Sequence, residues 1–278
     1  MIIWISSYPK SGNTWVRSFL SAYYYSKDGN FNFELLSNIK QFPSKDFSRR
    51  KVLSVDDASK NWLVAQKEIV SKKKIFFLKT HNIYGAYKGN KFTTPEFSIG
   101  QIYIVRDPRN VISSLMNHYS IGEKEALDMI CSPYRNLKDK NDVEDYSSYS
   151  FISSWANNYK SWKNSDIKNK LLIKYEDLET DTEQSFIKII KFTNNLINNS
   201  SDVDKNKIKK SIQNTNFETL KKKEKIEGFA EAILDEQGNK KTFFNLGKNN
   251  NYKKLLNIST TNKLEKIFNK EMKELNYI

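Results

Sequence analysis

The chain has 278 residues, of which 38% are hydrophobic and 28% charged, with a formal net charge of +14 and a single cysteine, Cys131. That length suits one α/β core; a lone cysteine excludes an internal disulfide and a thiolate metal cluster, and fits a reducing compartment. The positive charge favours anionic ligands. The lysines are scattered, however, and the densest run, residues 221–225, contains no aromatic, so no nucleic-acid partner is expected.

The first apolar run, residues 2–5, is too short for a signal-peptide core or a membrane span, and no later window is long enough either. The expectation is a soluble, cytoplasmic protein. Residues 2–5 (Ile-Ile-Trp-Ile) read as a buried strand, followed by a small-residue turn over 6–13. Residues 14–25 read as a helix, with Trp15, Phe19 and Ala22 or Tyr23 on one face. Further strands are predicted at 75–78, at 102–105 just before Arg106, and at 171–175. Helices are predicted over 108–119, 151–162, 181–193 and 261–275, the first of them opened by Pro108, where a missing N–H is harmless. The polar stretch 136–149 reads as a surface loop, as does 224–251 with Gly228, Gly238 and Gly247. Short apolar strands alternating with helices imply an α/β protein, a three-layer α/β/α fold around a central, mostly parallel sheet, and the opening strand, turn and helix resemble those of P-loop-containing nucleotide-hydrolase-like folds. No repeat or linker divides the chain, so residues 1–278 form one predicted domain.

Three clusters carry chemistry. The turn after the first strand leads into a helix N-terminus, where free N–H groups and the helix dipole favour an anion. Gly12 permits close backbone approach, Lys10 adds a mobile charge, and Ser11, Asn13 and Thr14 add hydrogen-bonding side chains. Lys10 precedes Gly12, so the Walker A order is absent, and taken alone the segment also fits a plain tight turn. Arg106, leaving a strand end, has the planar fork that suits a phosphate, and Ser114 lies two turns into the following helix. The third cluster is Lys79-Thr80-His81, directly after a predicted strand. A neutral imidazole there can accept a proton near physiological pH, and Lys79 can stabilise charge on oxygen. His118, the other histidine, is expected to be a packing or surface residue, and Cys131 a small, at least half-buried side chain.

The segment Ser7-Tyr8-Pro9-Lys10-Ser11-Gly12-Asn13-Thr14-Trp15 resembles the T-Y-P-K-S-G-T-T-W loop of sulfotransferases that use 3′-phosphoadenosine 5′-phosphosulfate (PAPS), with Ser7 and Asn13 as departures. The stretch 106–114 resembles that family's 3′-phosphate motif, and Lys79-Thr80-His81 its K-T-H. Tyr175-Glu176-Asp177 is similar to the family's Y-E-D, and Thr215-Asn216-Phe217 to its T-S-F. The resemblance spans residues 2 to about 255. It implies that Lys10 contacts the bridging oxygen and 5′-phosphate, that Ser11, Gly12, Asn13 and Thr14 cradle that phosphate, and that Trp15 stacks near the adenine. Tyr175, Thr215 and Phe217 would touch the adenine, and Arg106 and Ser114 the 3′-phosphate. His81 would be the catalytic base, aided by Lys10 and Lys79, with Ser114 holding Lys10 back until an acceptor arrives. The family's R-K-G becomes Asn245-Leu246-Gly247, where Gly247 fits and Lys248 supplies a charge one residue later.

These features predict in-line, metal-independent transfer of a sulfuryl group from PAPS to a hydroxyl or amine of a small-molecule, lipid-like or saccharide acceptor. Oligomeric state stays open. A P-loop-type kinase and a non-catalytic nucleotide- or RNA-binding protein remain the alternatives.

Overall fold

Four apolar runs form a parallel sheet, and the alternation of their side chains decides what covers each face. The computed structural model describes residues 1–138, 144–198, 202–233, 238 and 240–278, with the Lys248 side chain outside that set. The chain opens with β1 (Ile2–Ser7) and α1 (Asn13–Tyr25). Two 3-10 turns lead to α2 (Val55–Ser71), then β2 (Phe76–Thr80). A small hairpin, β3 (Ala86–Tyr87) and β4 (Asn90–Lys91), precedes β5 (Ser98–Val105), α3 (Pro108–Tyr119) and α4 (Glu123–Cys131). A second short pair, β6 (Asn136–Leu137) and β7 (Ser150–Phe151), leads to α5 (Trp155–Lys163) and β8 (Lys170–Lys174). Helices complete the chain: α6 (Tyr175–Thr180), α7 (Thr182–Leu196), α8 (Lys205–Thr215), α9 (Phe217–Glu227), α10 (Tyr252–Leu255), α11 (Ile258–Ile267) and α12 (Asn269–Glu274).

The sheet order is β2-β1-β5-β8, and every pairing is parallel. Successive strand residues point to opposite faces. Ile3 and Ile5 of β1 therefore pack with Ile102, Ile104 and Ile173 under α1, α7 and α8. Ile2 and Trp4 face the other way, with Tyr103 and Val105, under α2, α3, α5 and the C-terminal helices. A third apolar cluster, of Ala22, Phe31, Leu36, Leu220, Phe229 and Phe244, lies beside α1 and α9. The α/β/α layering expected from the sequence is thus present. Among the described residues, no helix is long and apolar enough to cross a membrane.

Several boundaries differ from expectation. β2 runs on through Lys79 and Thr80, because their backbone pairs with Ile5 and Ser6 of β1. Tyr175 opens a helix instead of closing a strand. The helix predicted over 151–162 starts only at Trp155, where the Ser154 hydroxyl accepts from Asn157 N–H; Phe151 pairs across β6. The predicted 261–275 helix is two helices that begin earlier, at Ile258, and residues 224–227 belong to α9. The 136–149 stretch includes β6, and its residues 139–143 lie outside the described set. Cys131 is half-buried as expected, and burial pushes its thiol up to about 11.

Behind the carboxyl edge, one buried amide ties β5, α5 and the end of β2 together. The Asn158 amide donates to the carbonyls of His81 and Ile152, both at 2.9 Å, and its oxygen accepts from Tyr103 Oη at 2.9 Å. Asn158 is fully buried. Asn158→Leu strands all three partners without water, and unfolding in urea is expected to show a loss of about 3 kcal/mol, since each buried unsatisfied group costs about 1–3 kcal/mol.

Candidate active site

The sheet register brings four chain exits to one edge. Ser6 pairs with Thr80, Ser7 with Ile104, and Val105 with Lys174. The residues that follow these strand ends (Tyr8, His81, Arg106 and Tyr175) therefore leave the sheet side by side, at the carboxyl edge where open α/β sheets bind ligands.

The first exit is a tight loop with two left-handed residues, Lys10 (φ 65°) and Gly12 (φ 97°). Such a turn before a helix directs successive N–H groups to one side and makes a seat for an anion. Gly12 is required for a second reason: a Cβ there would lie 2.4 Å from Tyr175 Cδ2. The Asn13 amide donates to Ile5 O at 3.0 Å and to Ser7 Oγ at 3.2 Å, so the two residues that depart from the family loop are bonded to each other. The Lys10 ammonium lies 3.9 Å over the Phe243 ring. Burial, with Lys79 and Arg106 adding to it against the pull of Glu231, pushes Lys10 down to about 7.

The second exit carries Arg106, 7% exposed. Its Nη1 donates to Lys10 O at 3.3 Å and Ser114 Oγ at 3.4 Å, and the guanidinium stacks 3.9 Å over the Tyr175 ring. The motif's other arginine does different work. Arg109 is held by Asp107, which also accepts from Arg109 N–H, and by Glu265 and Tyr277 O. Arg109 thus fastens the C-terminal helices to α3, while Arg106 has no acidic partner among the described residues.

The third exit carries His81. Its Nδ1 lies 2.8 Å from Ser7 O and 3.3 Å from Ser7 Oγ. A carbonyl only accepts, so the proton sits on Nδ1 and Nε2 is left as an acceptor, with no hydrogen bond among the described residues. Burial and the neighbouring Lys79 push the imidazole down to about 3, against the Ser7 bond and Glu231, so the ring is neutral at working pH. Lys79, buried beside it, pairs with Glu231 at 3.1 Å.

A late segment closes the site. Glu224 accepts from the N–H groups of Phe243 at 2.6 Å and Phe244 at 2.9 Å. Asn250 donates to Asn110 O at 2.8 Å and Ser114 Oγ at 3.0 Å, and also bonds Ser113. These fastenings set Gly247 against Phe217, where a Cβ would come within 2.5 Å of the ring.

Together these elements line one cleft of about 1110 Å³. Lys10, Gly12, Asn13, Thr14, Trp15, Lys79, His81, Arg106, Ser114, Tyr175, Phe217 and Gly247 are all on its wall. Ser11 lies just behind, fully buried. Thr215 is not on the wall: it is fully buried and its hydroxyl is spent on Ser211 O at 2.7 Å. Ser114 bonds Arg106 and Asn250, not Lys10. Lys248 contributes a side chain outside the described residues. His118 also reaches the cleft, packed on Tyr119 and Phe243, and burial with Lys10 and Lys79 nearby pushes it down to about 3.

Ser11 Oγ and Trp15 Nε1 at the loop, and Arg106 Nε beside it, are buried donors without a hydrogen-bond partner among the described residues. Buried polar groups are ordinarily satisfied, and a phosphate-bearing nucleotide has the acceptors that these donors lack. Two further side chains at the cleft, Arg17 and Glu231, belong to no motif of the sequence. Arg17 follows Thr14 by three residues, on the same helix face, which was a usable signal. Glu231 reaches both from a distant loop and has no local signal. Among the described residues, no group of three or more His, Cys, Asp or Glu is placed to hold a metal ion.

The family model described as "Sulfotransferase domain" matches residues 2–276. The chain is 21% identical to the amine sulfotransferase of Oryctolagus cuniculus over 278 residues, covering 98% of this chain and 81% of that protein. Its fold is similar to that of mouse sulfotransferase SULT7A1 complexed with PAP, the desulfated donor product (TM-score 0.60, 19% identity, 98% of this chain and 84% of that one). It is also similar to retinol dehydratase in a complex with retinol and PAP (TM-score 0.63, 15% identity, 98% and 81%).

Gly12→Ala combines a left-handed alanine with a clash on Tyr175, so its unfolding midpoint should fall by the equivalent of about 2 kcal/mol. The clash is specific to one pair. Gly12→Ala and Tyr175→Ala together should therefore cost less than their sum, as a double-mutant cycle in denaturant would show.

Proposed function

As this chain belongs to the sulfotransferase-domain family, we propose that it moves a sulfuryl group from PAPS to a hydroxyl or amine of a small-molecule acceptor, with His81 as general base. The observation that carries this is the meeting in one cleft of an anion-seating loop, an arginine with no acidic partner among the described residues, and an imidazole whose Nε2 makes no hydrogen bond to them. The relatives' names support both kinds of nucleophile: one is an amine sulfotransferase, and another was solved with retinol, an alcohol.

Each residue's task follows from its setting. The loop from Lys10 to Thr14 offers N–H groups and hydroxyls to the 5′-phosphate, and Arg106 with Ser114 grips the 3′-phosphate as a two-pronged donor. Trp15, Tyr175 and Phe217 supply aromatic faces for the adenine. His81 Nε2 takes the acceptor's proton as its oxygen or nitrogen bonds to sulfur, while the bond from sulfur to the phosphate oxygen breaks in line. Lys10 balances the charge appearing on that oxygen, and Lys79 the charge on the sulfuryl oxygens. A sulfuryl group carries less negative charge than a phosphoryl group, so these cations suffice and turnover should persist in EDTA.

With labelled PAPS, an acceptor panel and mass spectrometry, the protein should yield a product heavier by one sulfonate. His81→Ala should lose about 10²–10⁴-fold in rate while still binding PAP; retention of full rate would remove the base from His81. Lys10 gives a second, thermodynamic signature. Below pH 7 it is already charged; well above 7 it is mostly neutral in the free protein, and bound phosphates draw its proton back. Calorimetry of PAP binding at about pH 8.5, in buffers of different ionisation enthalpy, should therefore show uptake of about one proton. Lys10→Arg, charged throughout, should abolish it.

A further inference from the structure

The cleft contains a carboxylate for which the proposed transfer has no use. Glu231 Oε1 lies 2.5 Å from Arg17 Nη1, and Oε2 lies 3.1 Å from Lys79 Nζ and 3.4 Å from Thr14 Oγ1. The two cationic side chains are 5% and 7% exposed, whereas Glu231 is 30% exposed and comes from the loop after α9. Neither Arg17 nor Lys79 has another acidic partner among the described residues. Arg17 otherwise donates only to Ile39 O at 2.9 Å, and its Nε is unpartnered. Burial works to raise the Glu231 pKa, but the Lys79 and Arg17 charges overcome it and hold the carboxyl well below the usual range.

The position is as informative as the charge. Thr14 belongs to the phosphate-seating loop, and Lys79 stands two residues before His81. The Glu231 carboxylate is thus held by one residue of the loop and one of the strand that leads to the base, and a sulfuryl group passing from a phosphate at the loop to an acceptor beside His81 needs anion donors of this kind. A carboxylate presents two oxygens and a sulfuryl group three, and charged N–H and hydroxyl donors can bond either. Two buried cations left without any anion would be strongly unfavourable, so the empty-handed protein needs an internal one. Recognition of a cationic acceptor by Glu231 fits less well, because two protein cations already balance its charge.

We infer that Arg17, with Lys79 and Thr14, is a ligand of the transferring sulfuryl group, and that Glu231 is a resident anion that yields this seat when the donor binds. The assignment rests on the PAPS-dependent reaction proposed above. It makes Glu231 an obstacle to PAPS and a bystander to PAP, which has no sulfuryl group.

The test is calorimetric binding of PAPS and of PAP, without acceptor, to the full chain. Glu231→Gln keeps the shape and removes the charge. It should raise affinity for PAPS relative to PAP on the order of tenfold, as relief of a close like-charge contact does. Arg17→Lys should lower the PAPS-to-PAP affinity ratio by roughly as much, because a point charge replaces a fork, and should leave PAP binding within about twofold. An unchanged ratio in Glu231→Gln, or equal losses for both nucleotides in Arg17→Lys, would overturn the assignment and leave only a structural ion pair. If Glu231→Gln does not fold, the Arg17→Lys ratio decides alone. Wild-type protein that binds neither nucleotide would remove the proposed reaction itself, a result distinct from binding both with an insensitive ratio.

Discussion

β1 sits inside the sheet, paired on one side with β2 and on the other with β5, and its register fixes every distance that matters in the cleft. A one-residue slip in either pairing would turn Ile3 and Ile5 out of one core and Ile2 and Trp4 out of the other. Both faces are buried, so such a slip is heavily penalised. The consequence is that the loop at Lys10, the imidazole at His81 and the guanidinium at Arg106 are placed by the apolar packing of the strands that precede them. Their own hydrogen bonds only refine what the strands have set.

The cleft that results is an electrostatic problem before it is a catalytic one. Lys10, Arg17, Lys79 and Arg106 converge on the wall of one cleft, the last three of them buried. The protein offsets this in three ways. It lets Lys10 sit over an aromatic ring with a depressed pKa, keeps His81 and His118 neutral, and pairs Arg17 and Lys79 with Glu231. Arg106 is instead spread over the Tyr175 ring and two oxygen acceptors. A ligand with several negative charges stabilises the ammonium of Lys10 and gives Arg106 the acidic partner it lacks among the described residues, which is a physical reason for the site to favour a phosphate-bearing nucleotide.

Much of this was legible in the sequence because its signals are local. The loop from Ser7 to Trp15 announces itself by Gly12 and by the strand and helix on either side, and the edge positions of His81 and Arg106 follow from apolar runs that end just before them. Helix α3 came out with its bounds intact because Pro108 and Asp107 mark its start. What escaped is non-local. Thr215 sits in a family-like tripeptide, yet α8 turns it into the interior, where it bonds its own helix. Phe151 looked helical by apolar spacing but is held in β7 by a partner fifteen residues earlier in the chain, Asn136. Glu231 looks like any surface glutamate until the fold carries it to Arg17.

The late segment that roofs the cleft makes few ladder hydrogen bonds. It is pinned near one end by the Glu224 carboxylate on the amides of Phe243 and Phe244, and beyond Gly247 by the Asn250 amide on α3. The chain between α9 and Phe243 adds ties of its own, Glu231 to Arg17 and Lys79, and Lys241 to Asn117 O of α3. The roof is therefore held by side chains at four separate positions rather than by a ladder. Losing one such tie would loosen the roof locally while the sheet beneath it stays intact.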